Sequence, residues 1–560
     1  MADDGGSMGE RVDRPLRHVT LVRAIELASL AVFVAASVGF AIITLPYGTP
    51  DEPGHTVYAE AVSHGRLPTP EFSGRPAPPD ATYPSPQAHH PPLYYAIVGG
   101  AWALSGRQPG LLAQIARALS VLAGIAALLL LRAAMHRAFP DRPIIVAAGF
   151  AIVVASTSFT YVMGSFNSDS LAVLVVCAAL YLAVRALEDE RPMRWMVALG
   201  ACMGVGLLAK LTSVVIVVPI AIVAVYAARR ERRGLLRAAG LALAALGVAA
   251  VISSPWFVRN QIVMGTPTFN CATRPVFQSA SMLLPNWDAA TLLTLITLEE
   301  LTIAPWWPEW LLKTRGPVIG GLAFPESAEV SRPPWRVLLP LVVGVVGIWG
   351  AVRRLRDGED EAADARRRAV LWMLLLLPLA TTLGILQQML LVDSVIMRWT
   401  GRYVGTMIPP LGMTLGLGFA TLLPTRLRRA LPVVALIAAV GLNAAALVEV
   451  RRFYESPPTI HRPRGVSMPA SAVGRGEAAV HAADAREVGD HLHAIGERID
   501  LRVGRVDPAH GHFDNREAKA QRDEDQFGVE GPALELLMGE DALDRLAREH
   551  LEAALRVVDA

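Results

Sequence analysis

Residues 46–95 read PYGTPDEPGHTVYAEAVSHGRLPTPEFSGRPAPPDATYPSPQAHHPPLYY, and they separate a first long apolar run from all that follows. Twelve prolines between Pro46 and Pro92 exclude one continuous helix, because each lacks an N–H donor and holds φ near one value. The stretch presents an acid pair, Asp51-Glu52, then His55, and closes on His89-His90-Pro91-Pro92 before Tyr94-Tyr95. Long loops of this kind are more often functional or disordered than neutral connectors. A Pro-braced loop that carries carboxylates and imidazoles beside an apolar run reads as the active-site loop of a membrane enzyme.

The flanking sequence supports the membrane part of that reading. The chain has 560 residues, 53% of them hydrophobic, and a mean hydropathy of +0.39. A membrane span needs roughly 20 mostly apolar residues to cross about 30 Å of hydrocarbon. Eleven segments meet that need: 24–45, 111–131, 144–162, 171–187, two halves of 195–228 pivoting near Lys210-Leu211-Thr212, 235–258, 337–352, 369–392, 404–423 and 431–450. The expected fold is an all-α polytopic membrane protein of about eleven transmembrane helices. Residues 1–23 form a cytoplasmic head resembling a retained signal anchor, 24–450 the membrane domain, and 451–560 a polar external tail with a possible terminal helix. Leu93–Leu104 is apolar but too short to cross, and reads as an interfacial helix. With eleven spans, the arginine-bearing loops near 132–142, 185–194, 229–237, 353–368 and 426–429 fall on one side, as the positive-inside rule requires. The long loops 46–110 and 259–336 and the tail then lie outside.

The net charge of +2 is uninformative, because arginines and acids are segregated along the chain. No nucleic-acid partner is expected; membrane lipids are. Cys177, Cys202 and Cys271 are too scattered to suggest a disulfide framework. The tail's histidines, including His491 with His493 and His510 with His512, match no standard metal spacing, so a solvated tail is the simpler reading.

Chemistry concentrates in the outer segments. Asp51 and Glu52 are either an ordinary turn pair after Thr49-Pro50 or a general base with a partner that positions a hydroxyl or a metal. His55, His89 and His90 with Glu52 have the ligand types for a divalent ion, although the gap from His55 to His89 is no recognised metal spacing; His90 with its prolines also suits orienting the loop. Lys210, Arg259 and Arg402 are cations at the outer ends of three separate apolar runs. They either snorkel or clamp a phosphate, for which arginine offers paired donors. Asn167 and Asp169 open a span and suit helix capping.

These signatures fall in the order found in the GT-C superfamily of membrane glycosyltransferases, which includes protein O-mannosyltransferases and bacterial aminoarabinose transferases. The matching elements are Asp51-Glu52 after the first span, HHPPLYY at His89–Tyr95, the Asn167–Asp169 turn and the Lys210-Leu-Thr hairpin. PWFVRN at Pro255–Asn260 and GRY at Gly401–Tyr403 complete the set. The resemblance covers about residues 20–450. It implies an inverting transfer from a polyprenyl-phosphate sugar to a lipid, glycan or protein hydroxyl at the outer face. Asp51 would be the base, with Lys210, Arg259, Arg402, Tyr403 and His90 binding substrate. The paired His89-His90, where many relatives carry one His, leaves a metal open.

The rival from another class is a transporter, which usually places ionisable residues near mid-membrane and shows internal repeats. Few charges fall within the expected spans, and no repeat is evident. A non-catalytic membrane scaffold would have no use for an intact acid loop.

Overall fold

The computed structural model describes residues 8–44, 49, 52–68, 87–88, 90–108, 110–264, 267–268, 318–319, 322–323, 335–356, 361–391 and 405–455. They are helical apart from turns and a two-residue antiparallel pair, Val318–Ile319 with Leu322–Ala323. The helices are α1 (Met8–Ile43), α2 (Glu52–Ser63), α3 (Leu93–Leu104), α4 (Leu111–Ala138), α5 (Pro143–Ala155), α6 (Thr157–Met163) and α7 (Asp169–Glu188). After α8 (Pro192–Ala209) and a 3₁₀ turn (Leu211–Ile216) come α9 (Val217–Arg230), α10 (Leu235–Met264), α11 (Trp335–Arg356), α12 (Glu361–Leu391), α13 (Ile408–Leu422) and α14 (Thr425–Glu455).

This is an all-α polytopic membrane protein. Among the described residues, eight helices are long and apolar enough to cross a bilayer, or nine if the bent pair α5–α6 is one span. The other two of the eleven expected spans correspond to α11 and α13. With 15 residues, α13 reaches only about 22 Å at 1.5 Å per residue, less than the hydrocarbon thickness. The expected hairpin pivot at Lys210 is present: the residue is extended, at φ −161° and ψ 140°, between α8 and the 3₁₀ turn. Leu93–Leu104 is a short apolar helix over the expected residues. In the 259–336 loop, Trp287, Trp306, Trp307 and Trp310 lie outside the described residues, as do the histidines of the tail.

Local chemistry explains the breaks. Pro143 and Pro192 each start a helix, where a missing N–H costs nothing. Between α5 and α6 the chain bends by 69° at Ser156. Ser156 Oγ accepts a bond from Phe159 N at 3.2 Å and so caps α6. Asn443 of α14 donates to the carbonyl of Val154 at 2.9 Å and accepts from Thr160 Oγ1 at 2.5 Å. The backbone group freed by the break is thereby satisfied inside the bundle, as a membrane interior requires.

Large apolar side chains form the core: Phe33 of α1, Leu128 and Leu131 of α4, Phe150 of α5, Phe159 of α6 and Leu180 of α7 are all buried. Glycine brings α13 against its neighbours. A Cβ on Gly416 would lie 2.5 Å from Gly149 Cα, and one on Gly412 would lie 2.5 Å from Val153 Cγ2 of α5. Gly418 meets the carbonyl of Gly347 on α11 just as closely. Small residues let backbones touch where lipid supplies no hydrophobic drive for helix association.

The bundle has two chemically distinct ends. At one, Arg137 pairs with Glu188 at 2.9 Å, Arg194 with Asp189, Arg237 with Glu231 at 2.9 Å, and Arg367 with Asp141 at 2.6 Å. The arginine-bearing connections thus share one end, as the loop charges led us to expect. The other end gathers the C-terminus of α1, all of α2 and α3, the start of α4 and the α6–α7 turn. One expectation needs amending, that of spans nearly free of charge. Glu26 of α1 is 2% exposed and bonds Arg132 Nε at 2.7 Å and His136 Nε2 at 2.5 Å. Apolar averages over a span conceal such pairs.

Candidate functional site

The site is built on the corner between α1 and α2. Thr49-Pro50-Asp51-Glu52 has the spacing of a capping box, and half of that geometry is present: the Glu52 carboxylate reaches back to Thr49 N. Glu52 N donates to Thr49 O at 3.1 Å, while Thr49 N and Thr49 Oγ1 donate to Glu52 Oε2 at 3.1 and 2.9 Å. The Glu52 carboxylate is completely buried, which demands a counter-charge. Arg117, from α4, supplies it: Nη2 lies 2.9 Å from both carboxylate oxygens. Arg117 Nη1 also donates to the carbonyls of Ala41 and Thr44, at 2.9 and 2.7 Å. One guanidinium therefore ties the end of α1 to the start of α2, satisfying helix-end carbonyls that lack intrahelical partners.

Beyond this pair lies an aromatic box. His55 Nδ1 is 2.7 Å from Tyr95 Oη, and the His55 ring stacks on Tyr95 and Phe166 with centroids 5.7 and 5.9 Å apart. His90 is tilted against His55 at 5.8 Å, and Tyr58 stacks on Tyr95 at 3.8 Å while donating to the carbonyl of His90 at 2.9 Å. Burial pushes the Tyr58 phenol well above its ordinary pKa, against the opposing pull of Arg259. The Tyr94 phenol is likewise raised by burial. Both are neutral hydrogen-bonding groups at any working pH. Tyr94 Oη lies 3.2 Å from Ser120 Oγ, which accepts from Ser170 Oγ at 3.1 Å. That chain links α3 and α4 to α7.

Just before α7, Asn167 Oδ1 accepts from Ser170 N at 3.2 Å, a capping role its position suggests. Asp169 does something else. Its Oδ2 lies 2.6 Å from Lys210 Nζ, and both side chains are buried. Lys210, expected either to snorkel or to bind phosphate, pairs with a buried carboxylate across the α8 pivot. Arg259, near the end of α10, donates to the carbonyl of Pro68 at 3.1 Å and to Asn260 Oδ1 at 3.2 Å. Its guanidinium stacks over Trp256 at 5.1 Å. Arg259 is thus tied to the residues that follow α2.

Asp51, His89, Arg402 and Tyr403 lie outside the described residues. Of the expected set, Glu52, His55 and His90 share one corner, with Arg259 beside Tyr58, while Lys210 pairs with Asp169 at the start of α7. Among the described residues, no three His, Cys, Asp or Glu side chains gather as a metal-ligand set. Glu52, expected to support Asp51 by binding the acceptor or a metal, is bonded to Thr49 and Arg117. Sequence reasoning missed Arg117, although an arginine inside an expected span is itself a signal. It also missed the two bonds that Thr49 gives to the Glu52 carboxylate.

Residues 89–258 match the family model of dolichyl-phosphate-mannose-protein mannosyltransferases. The chain resembles a GT-C superfamily glycosyltransferase. The GT-C match runs from the His89-His90 corner through α3 to α10 and covers less than half of the chain. No curated protein sequence matches it. Among solved structures, it is similar to the oligosaccharyltransferase of Archaeoglobus fulgidus tethered with an acceptor peptide, at 14% identity and a TM-score of 0.44. That alignment covers 79% of this chain and 60% of the archaeal one, so the chain spans under two thirds of that relative. It is also similar to ArnT from Cupriavidus metallidurans bound to undecaprenyl phosphate, at 19% identity and a TM-score of 0.40, over 77% of this chain and 74% of that one.

Proposed function

We propose that the chain is a multi-pass membrane glycosyltransferase that moves a sugar from a polyprenyl phosphate to an acceptor hydroxyl at the external face of the cell membrane. The observation that carries the reading is the buried Glu52–Arg117 pair, which fixes the chain on the immediate C-terminal side of Asp51. Asp51 is the general base. Its carboxylate takes the acceptor's hydroxyl proton as that oxygen attacks the anomeric carbon. The bond from that carbon to the phosphate oxygen breaks with inversion, and polyprenyl phosphate leaves carrying the electron pair. Arg259 and Arg402 stabilise the leaving phosphate, a contribution that is largest in a water-poor site. Lys210, neutralised by Asp169, acts by holding α8 against α7. Glu52 acts by positioning, and no step is assigned to a metal.

The reading is supported by the GT-C family match and by a basic end opposite the Glu52 corner. The test is sugar transfer by membranes carrying the wild type or Asp51→Asn, supplied with candidate polyprenyl-phosphate sugars and read by mass detection of products. The variant keeps the side chain's size but cannot take the proton, so transfer should fall by about 10²–10⁴-fold. Transfer that survives Asp51→Asn would remove Asp51 as the base.

The bent pair α5–α6 favours a second reading, because transporters use broken helices to form midplane sites. A wild-type protein that moves a solute across vesicles and transfers no sugar would select it.

A further inference from the structure

At the basic end a cleft opens between the α4–α5 connection, α11, α12 and α13. Arg142, Arg354, Arg367 and Arg368 line it, over an apolar floor that includes Phe139 and Leu371. Asp141 Oδ1 accepts from Arg367 Nη2 at 2.6 Å, and its Oδ2 lies 3.6 Å from Arg142 Nε. One half-exposed carboxylate thus faces a wall of guanidinium groups. The crowding is felt at Arg142, whose pKa is held below its ordinary value by burial first and then by Arg354 and Arg367. One donor on this wall, Arg367 Nε, is buried with no hydrogen-bond acceptor among the described residues. A buried donor without an acceptor is costly, so the arrangement calls for an added anion.

Size and place narrow the choice. The enclosed volume is about 20 Å³, room for one water-sized group. A sugar or nucleotide cannot enter, whereas one oxygen of a phosphate seated at the mouth can. The mouth lies at the ends of membrane-crossing helices, where phospholipid headgroups lie, and basic pockets between such helices suit anionic headgroups.

We infer that this cleft binds the phosphate of an anionic phospholipid, with Arg142, Arg354 and Arg367 as its cationic wall. The lipid's acyl chains run along the outside of the bundle. Bound there, it braces the α4–α5 connection against α11 and α12, at the end remote from the Glu52 corner. The competing counter-ion is the chain itself, since Asp357, Glu359, Asp360, Glu361 and Asp364 lie in sequence between α11 and the arginine run.

The test measures lipid retention on full-length purified protein by native mass spectrometry, with phosphatidylglycerol and phosphatidylcholine in competition and no sugar donor present. The wild type should keep phosphatidylglycerol in preference. The double variant Arg142→Gln/Arg367→Gln should keep it about tenfold less or worse, the loss expected for two headgroup-facing arginines. Arg142→Lys/Arg367→Lys should fall between, retaining charge without the planar fork. Arg354→Gln alone should show a partial loss, which keeps the test open if the double variant misfolds. Neutralising the five acids should leave the preference unchanged or raise it. Equal retention of both lipids by the wild type would overturn the proposal, as would full retention in the glutamine variants. Displacement by excess inorganic phosphate would make the ligand a free anion, and loss of the preference without the acids would make the cleft theirs. Sugar transfer by the double variant in detergent should be normal, so failure here and failure of the glycosyltransferase reading are separable.

Discussion

Removing one partner of the Glu52–Arg117 pair tests the corner most directly. Glu52→Gln retains shape, but the amide offers one acceptor oxygen where the carboxylate takes two bonds from Arg117 and two from Thr49. Its NH₂ also faces donors. Arg117 is left charged in a buried site without its carboxylate, while its bonds to the carbonyls of Ala41 and Thr44 remain. Breaking a buried pair from one side costs about 3–5 kcal/mol. The double variant Glu52→Gln/Arg117→Met leaves no stranded charge, so its cost should be smaller than the sum of the single costs by about 0.5–3 kcal/mol, the usual coupling between contacting residues. The assay is thermal unfolding of the purified protein in detergent for the wild type, both single variants and the double variant, with sugar transfer measured in parallel. All three variants should lose transfer, since each frees the chain beside Asp51. Additive single effects, or a Glu52→Gln protein as stable and active as the wild type, would refute the view that this pair positions the site.

Arg259→Lys and Arg402→Lys should weaken donor binding while leaving the fold intact, because lysine keeps the charge but lacks the fork; titration with a polyprenyl-phosphate sugar reads this directly, and unchanged binding in these and the matching alanine variants would move the phosphate elsewhere. Cysteine labelling should reach Ser73 and Ser327 from outside and Gly234 from inside, and Ser73 labelled only from the cytoplasm would invert the topology. At the basic end, bonds from Arg191 N, then Trp195 and Arg194, hold the Asp189 carboxylate well below the usual range. With a depressed folded pKa its contribution is present above the unfolded value of about 3.9 and is lost as pH falls through the folded one. Asp189→Asn should therefore lower the melting temperature at pH 7, and the gap to the wild type should shrink as pH falls below about 4.

Much of the architecture was legible because its signals are local. A run of apolar residues long enough to cross hydrocarbon declares itself without knowledge of its neighbours, and so does a loop that carries arginine. Hence the helices, the pivot at Lys210, the short helix Leu93–Leu104 and the shared basic end were all readable in one dimension. The cluster was partly legible too, since the HHPPLYY run keeps His90 near Tyr94 and Tyr95, whereas His55 and Tyr58 reach it only through packing of α2 on α3.

What a charged side chain faces depends on packing between helices far apart in sequence, and the chain alone does not contain it. The sequence offered Glu52 for chemistry but not its partner Arg117, 65 residues on. It offered Lys210 as a cation but not Asp169, which α7 brings to 2.6 Å. Both outcomes follow from the same physics: a charge carried into the low-dielectric interior must meet an opposite charge there, and only the folded bundle determines which one is within reach.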